Sequence, residues 1–276
     1  MSHFHHTGCT MENETRNEGT WEKINENRDF MKCPNFFELR ATSDQEKKLP
    51  QPPLSHPTVG AAIELKNDFD NVIVSGNYID LLDSRRSQRM YDTTVPMTQS
   101  QLAFMLWSTQ GIQKTGANGY ATFRPVPSGG ARHPFETYIV VQNVEDLSPG
   151  IYRYLPLEHV GEKRVSIEFV SEFDNHEQRI TDMVAGQKWA ATAPVIILYT
   201  CVAYRAEWRY TVMAHRVVLI DVGHVGQNLM FSAEAMGLGS CNMAAYDQKL
   251  CDETLGLDGY EEYTVYVHSV GKVAKP

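Results

Sequence analysis

Three arginines crowd into five positions of a chain that is otherwise acidic. The stretch DSRRSQRMYDTTVP, Asp83–Pro96, holds Arg85, Arg86 and Arg89 with Ser87 between them, in a chain of formal net charge −9. Like charges at this spacing repel unless an anion sits among them. Phosphate is the simplest anion, because the planar guanidinium fork matches its oxygens bidentately and a serine hydroxyl adds a neutral donor. Each such charge-assisted hydrogen bond contributes about 1.5–3 kcal/mol. A solvated basic helix end that complements the helix dipole is the other reading. The stretch by itself leaves both open.

Two further runs carry small residues where a ligand could approach the backbone. In RPVPSGGARHP, Arg124–Pro134, two prolines stiffen the approach to Ser128, Gly129, Gly130 and Ala131. Such a run lets amides come close to a flat or anionic ligand, or it makes an ordinary tight turn. In GLGSCNMAAYD, Gly237–Asp247, the glycine spacing is not that of a dinucleotide fingerprint and no strand is expected before it. Gly237 reads as a helix C-cap and the residues after it as a loop with free backbone donors. Cys241 reads as a small buried hydrophobe rather than a nucleophile. Asp221 and His224 stand at i and i+3, but no third metal ligand with suitable spacing accompanies them. His3, His5, His6 and Cys9 lie in a polar terminus that offers no fixed geometry, so no metal site is expected. Neither a GxSxG elbow nor a P-loop occurs.

Elements must position these runs. YIDLLDSRRS places Ile79 and Leu82 at helical spacing, with the arginines at the helix C-terminal end. Thr98 and Gln101 form a capping box for a helix that Gly111 ends, with Leu102, Met105, Leu106 and Thr109 on one face. Strands are expected at Thr137–Gln142, Ile151–Tyr154, Val165–Val170, Val195–Thr200 and Tyr263–Val270, each rich in β-branched and aromatic residues. From Thr211 to Met236 runs a long helix apolar on more than one face, suited to the centre of a core or a dimer interface. Gly223 and Gly226 remove bulk from one side of it. Mixed elements without βαβ alternation indicate an α+β fold.

Composition bounds the class. The chain has 276 residues, 42% hydrophobic, with 34 acidic against 25 basic side chains. That is enough to bury a sizeable core, and the acidic surplus disfavours a nucleic-acid binder. The longest apolar stretch, Ala193–Tyr204, is too short to span a membrane. Five cysteines without a CxxC pair indicate a reducing compartment, and residues 1–30 lack the apolar run of a signal peptide. A cytoplasmic protein is expected. Residues 1–60, polar and then proline-rich (LPQPPLSHP), read as a partly mobile arm, and residues 61–276 as one domain.

Taken in order, RRSQRMYDTTVPMTQSQLAFMLWSTQGI, VPSGGARHPFETYIVVQNVEDLSPGIYRYLPLEH, GQKWAATAPVIILYT, AEWRYTVMAHRVVLIDVGHVGQNLMFSAEAMGLGSC and YVHSVGK resemble the nitroreductase superfamily. They are most similar to its SagB/ThcOx-type dehydrogenase branch, in a free-standing form, from about Tyr78 to Lys272. The resemblance implies an α+β nitroreductase-like fold: an antiparallel-rich mixed sheet flanked by helices, with the long central helix at the interface of a homodimer. It implies FMN sites at that interface. Arg85, Ser87 and Arg89 would meet the phosphate and ribityl chain, with Arg86 beside them and Lys272 also reaching the phosphate. Ser128, Gly129, Gly130 and Ala131 would lie by the pyrimidine edge of the ring, and Ala244 and Ala245 near flavin N5. The implied activity is an FMN-dependent oxidoreductase passing hydride through N5, with NAD(P)H as a possible donor and a small-molecule or peptide-derived substrate. An azoline dehydrogenase of peptide modification and a flavin-holding, non-catalytic partner protein are the alternatives. Two departures stand out. Asn242 and Ala244 occupy positions where many relatives carry Pro or Ala and Gly. The Lys-Tyr pair of azoline-oxidising relatives aligns with Arg209-Tyr210; arginine does not deprotonate readily, which leaves Tyr210 as the candidate proton donor.

Overall fold

A computed structural model describes residues 18–32 and 35–274. His3, His5, His6 and Cys9 lie outside the described residues. The chain divides into two compact units, Met1–Phe36 and Phe37–Pro276, so the division falls well before residue 60. In the first unit α1 spans Glu18–Phe30, where the sequence reading expected an arm without regular structure. Its residues offer no apolar stripe, but the Arg28 guanidinium stacks 4.7 Å from the Trp21 ring centroid, seven residues away on the same face.

From the boundary onward come α2 (Phe36–Ala41), β1 (Ala62–Glu64), α3 (Phe69–Val72), α4 (Tyr78–Ser84) and α5 (Gln99–Gln110). A ribbon of β2 (Lys114–Thr115) and β3 (Thr122–Phe123) precedes β4 (Phe135–Val141), β5 (Gly150–Tyr154) and β6 (Ser166–Ser171). Then follow α6 (His176–Met183), β7 (Val195–Val202), α7 (Ala203–Tyr210), α8 (Ala214–Ala235), β8 (Gly239–Met243), α9 (Gln248–Leu255) and β9 (Glu262–Gly271).

The main sheet has seven strands in the order β1-β6-β5-β4-β7-β9-β8. Every ladder in it is antiparallel, so the expected mixed character reduces to isolated parallel bridges such as Ser87 with Ser240. β4 and β7 are buried on both faces, which is why Tyr138–Val141 and Val195–Tyr199 read as continuous apolar runs. Leu102 and Leu106 of α5 and Val222 and Leu229 of α8 pack with Ile139, Ile197 and Tyr199 on one face. Ile180 and Met183 of α6 and Cys251 and Leu255 of α9 pack with Val140, Ile196 and Leu198 on the other.

Local chemistry sets the helix ends. The Thr98 hydroxyl accepts from the Gln101 amide while the Gln101 side chain accepts from the Thr98 amide, closing the expected capping box. Gly237, at φ 65°, turns the chain out of α8, and the Gly237 and Leu238 amides donate to the carbonyls of Glu234 and Ala233. Part of α8 is exposed in the single chain, at Leu219, Ile220, Gly223 and His224. Gly223 therefore faces open space, while a Cβ at Gly226 would come within 2.7 Å of the Tyr266 ring and 2.9 Å of the Asn242 amide.

The proline-rich segment is strapped to the sheet. Glu136 accepts from the Ser55 hydroxyl and the His56 amide, and Arg205 reaches both Glu136 and the Pro53 carbonyl. Arg153 donates to the Pro57 carbonyl and pairs with Glu168, which itself accepts from the Val59 and Gly60 amides. Among the described residues no helix is long and apolar enough to cross a membrane.

Candidate active site

The arginine cluster leaves α4 at its C-cap, Arg85, and runs alongside β8. The Gln88 amide donates to the Ser240 carbonyl, and the Asp92 amide to that of Lys272 just past β9. The pairing of β8 with β9 thereby draws Arg85, Arg86, Ser87 and Arg89 to the edge where Lys272 sits. Lys272 Nζ donates to the Gly237 carbonyl at 3.0 Å. The Arg85 side chain contacts Met230 Sδ of α8, Arg86 donates to the Arg85 carbonyl, and Arg89 lies 5.7 Å over the Trp189 ring. Among the described residues none of these four cations forms an ion pair with a carboxylate. Arg85 and Lys272 thus lie toward α8 and Arg89 toward Trp189, and in a chain with an acidic surplus these cations stand without a carboxylate counter-charge.

The glycine run forms a turn against the other half of α8. Gly130 sits at φ 58° and Ala131 at φ 52°. Asp221 anchors the turn: it accepts from the Ser128 hydroxyl at 2.6 Å and from the Gly129 amide at 3.0 Å. Burial pushes its carboxyl above the usual range, and the Ser128 and Gly129 donors oppose that rise. Asp221 is thus a loop anchor, and His224 beside it on the helix is exposed. The Ser128 hydroxyl and Gly129 amide are spent on this anchor, and the Ala131 amide on the Ser128 carbonyl, so the run presents fewer free donors than its composition promised. What it supplies instead is close approach. A Cβ at Gly130 would lie 2.5 Å from Arg209 Nε and 2.7 Å from the Tyr210 hydroxyl; one at Gly129 would lie 2.5 Å from Val217.

Arg209 and Tyr210 end α7, and Thr211 takes a left-handed φ of 49° to start the turn into α8. Arg209 donates to Gln45 Oε1 at 2.9 Å and to the Tyr120 hydroxyl at 2.6 Å. Neither acceptor is a carboxylate, and neither position was singled out in the sequence. Arg132, also missed, is 2% exposed; it donates to the carbonyls of Arg205 and Tyr120, between the rings of Trp208 and Tyr120. Its place directly after Ala131 was the one signal that could have found it.

The third run differs most from expectation. Gly239–Met243 is the edge strand β8, its backbone paired with Val267–Gly271 of β9, so the donors that face β9 are not free. Gly, Ser, Cys and Asn have low strand propensity, and pairing with a long apolar neighbour overrides it. Cys241 is buried, and burial raises its thiol above the usual range. Ala244 and Ala245 follow the strand and are exposed, with Gln187 donating to the Ala245 carbonyl at 2.9 Å. Arg85, at Met230, and the glycine turn, at Asp221, meet α8 nine residues apart, about 13 Å along its axis.

The nitroreductase family model matches residues 82–272, from the start of the arginine cluster to Lys272. The chain belongs to the nitroreductase family. A Methanocaldococcus jannaschii protein assigned as a nitroreductase is 30% identical over 193 residues, covering 70% of this chain and 89% of the relative. The trifolitoxin-processing protein TfxB of Rhizobium leguminosarum bv. trifolii is 28% identical over 53% of this chain and 39% of its own length. The microcin B17-processing protein McbC of Escherichia coli is 27% identical over 49% of this chain and 49% of its own. This chain thus spans half or less of the two processing proteins. Among solved structures, a Ralstonia eutropha protein assigned as a nitroreductase superposes with a TM-score of 0.60 at 20% identity, over 83% of this chain and all of that one. A chain of the Escherichia coli microcin synthetase McbBCD complex with truncated pro-MccB17 superposes with a TM-score of 0.56 at 20% identity, over 91% and 86%. These two likenesses establish the fold.

Proposed function

We propose that the protein is an FMN-dependent oxidoreductase working as a homodimer in the cytoplasm. The observation that carries the reading is the cluster of Arg85, Arg86, Arg89 and Lys272, which has no carboxylate partner among the described residues. A phosphate monoester dianion supplies the missing counter-charge, with Ser87 as a neutral donor. The bare backbone of Gly129 and Gly130 lets Val217, Arg209 and Tyr210 pack directly against the turn, which holds Tyr210 beside it. A bound flavin supplies two-electron transfer at N5, with NAD(P)H as the donor.

The chain's own residues bind and position. The arginine edge would hold the phosphate, Ser128 through Ala131 would border the pyrimidine edge of the ring, and Ala244 and Ala245 would lie on the N5 side. Tyr210, with Arg209 before it at the end of α7, would be the side chain placed to donate a hydrogen bond to substrate. The exposed apolar side chains of α8 (Leu219, Ile220) and α4 (Ile79, Leu82) support a dimer that brings one protomer's glycine turn to its partner's arginine edge. The buried thiols of Cys201, Cys241 and Cys251, none of them in a disulfide, suit a reducing compartment.

An anaerobic NAD(P)H titration of the purified protein tests the direction of electron flow. Bleaching of the bound flavin is the expected result. Flavin that stays oxidised with both nicotinamides removes the NAD(P)H-linked reductase and leaves a dehydrogenase that draws electrons from its substrate. Similarity to the microcin B17- and trifolitoxin-processing proteins favours a peptide-derived azoline as that substrate. Likeness to a chain of the McbBCD complex supports the remaining reading, a flavin-holding partner without turnover of its own. Steady turnover of any small acceptor by the homodimer eliminates it.

A further inference from the structure

Where the proline-rich segment crosses the sheet, residues 56–60 leave a cleft of about 480 Å³ between themselves and the strands. Small-molecule sites run from about 300 to 1,000 Å³. Tyr138 of β4, Arg153 of β5 and Glu168 of β6 stand in one cross-strand row and line the cleft from the sheet. Val59 of the crossing segment and Phe169 and Val170 of β6 add apolar walls, and all three are exposed. Apolar walls around a few convergent polar groups are the make-up of a ligand site. Glu262, at the start of β9, closes the other end. β9 and β6 lie four strand spacings apart, at about 4.8 Å each, so the cleft is long rather than round.

Three carboxylates are buried at this end of the sheet, and arginine neutralises two of them. Glu136 pairs with Arg205 at 2.6 Å, and Glu168 pairs with Arg153. Glu262, 8% exposed, differs. Its Oε2 meets His56 Nε2 at 2.5 Å and its Oε1 accepts from the Thr200 hydroxyl. Among the described residues no guanidinium or ammonium pairs with it. Carboxylates buried this far ordinarily have a cationic partner. A carboxylate offers about four acceptor positions, so Glu262 keeps two open. Tyr138 is 6% exposed, and its hydroxyl makes no hydrogen bond among the described residues. Burial, and then the charges of Glu262 and Glu136, push its pKa above the usual range, so the phenol stays neutral.

We propose that this cleft binds a small organic amine, with its ammonium group on Glu262 and an extended apolar chain running past Tyr138 toward Val59 and Val170. An ammonium brings three donors and no acceptor, which suits the open positions on Glu262 and the neutral Tyr138 oxygen. Its charge balances the one carboxylate that the arginines leave over. An anionic ligand would meet Glu262 and Glu168 with like charge, and a neutral one would leave Glu262 uncompensated. The cleft is lined by none of the residues assigned above to the flavin, so this site stands or falls without that reading.

Fluorine NMR titrations of the full chain with 4-(4-fluorophenyl)butylamine and the matching alcohol test this directly. At about pH 8 an imidazole is ordinarily neutral and the amine is still charged. The expected result is amine binding at least about tenfold tighter than the alcohol, a preference that Glu262→Gln reduces to about twofold or less. Val170→Lys removes an apolar wall at an exposed position and weakens both probes at least about fivefold, which locates the binding even if Glu262→Gln fails to fold. Glu253→Gln removes one negative charge from α9 and leaves the preference intact, which separates the cleft from an effect of net charge. Four results overturn the proposal: no amine binding at millimolar concentration, equal binding of the two probes, a preference that survives Glu262→Gln or falls equally with Glu253→Gln, or affinities that Val170→Lys does not move.

Discussion

Replacing Asp221 tests whether one buried carboxylate holds the glycine turn in place. It accepts the Ser128 hydroxyl at 2.6 Å and the Gly129 amide at 3.0 Å. Hydrogen bonds to a charged acceptor contribute about 1.5–3 kcal/mol each, and burying the charge offsets part of that sum. Asp221→Ala is therefore expected to cost about 2–4 kcal/mol, because it also strands two donors beneath the turn. Urea unfolding at neutral pH measures the loss, and Asp221→Asn, which retains one acceptor oxygen, should recover about half of it. The pH dependence has a definite sign. The folded carboxyl is raised, so the native state binds its proton more readily than the unfolded chain does. Stability from this group is highest below the unfolded value near 4 and declines as pH rises through the raised folded value. Asp221→Asn lacks that decline. An alanine variant within about 0.5 kcal/mol of the parent refutes the anchor, whereas a parent whose stability relative to Asp221→Asn climbs over that window shows that the Ser128 and Gly129 donors outweigh burial.

Acid should unfold the protein through two buried imidazoles. Burial, reinforced by the Arg124 charge, pushes His133 down to about 2, and burial pushes His268 down to about 3. Both stay neutral when folded but charge when unfolded, so each should remove about 2 kcal/mol between pH 7 and pH 5; His268→Gln should flatten the measured slope by about 1.4 kcal/mol per pH unit below pH 6.5. Light scattering should give twice the chain mass for the parent. An Ile220→Glu and Leu219→Glu double variant, charging the exposed apolar face of α8, should run as a monomer and lose flavin; a dimer that survives it places the interface elsewhere.

What was legible in the sequence was the chemistry carried by neighbours in the chain. Thr98 and Gln101 cap α5 through a contact three residues apart, and β4, β7 and β9 announce themselves by their own side chains. What was not legible depended on partners distant in sequence. β8 is a strand because β9 pairs with it, against its own composition. Asp221 had no role in the sequence once a third metal ligand was lacking, and the turn at Ser128, 93 residues away, supplies one. Arg132 and Arg209 gain meaning through Tyr120 and Gln45, which no periodicity or motif joins to them. The helix α1 went unread because a polar helix shows no apolar stripe.

The most direct test is the absorbance spectrum of freshly purified protein, taken alongside an Arg85→Ala and Arg89→Ala double variant. The parent should be yellow, with flavin bands that account for one FMN in each chain, and the double variant should lose most of that colour while its far-ultraviolet circular dichroism is unchanged. A colourless parent that refuses added FMN at micromolar concentration, or a double variant that keeps its full complement, would contradict the assignment of the arginine edge to the cofactor's phosphate.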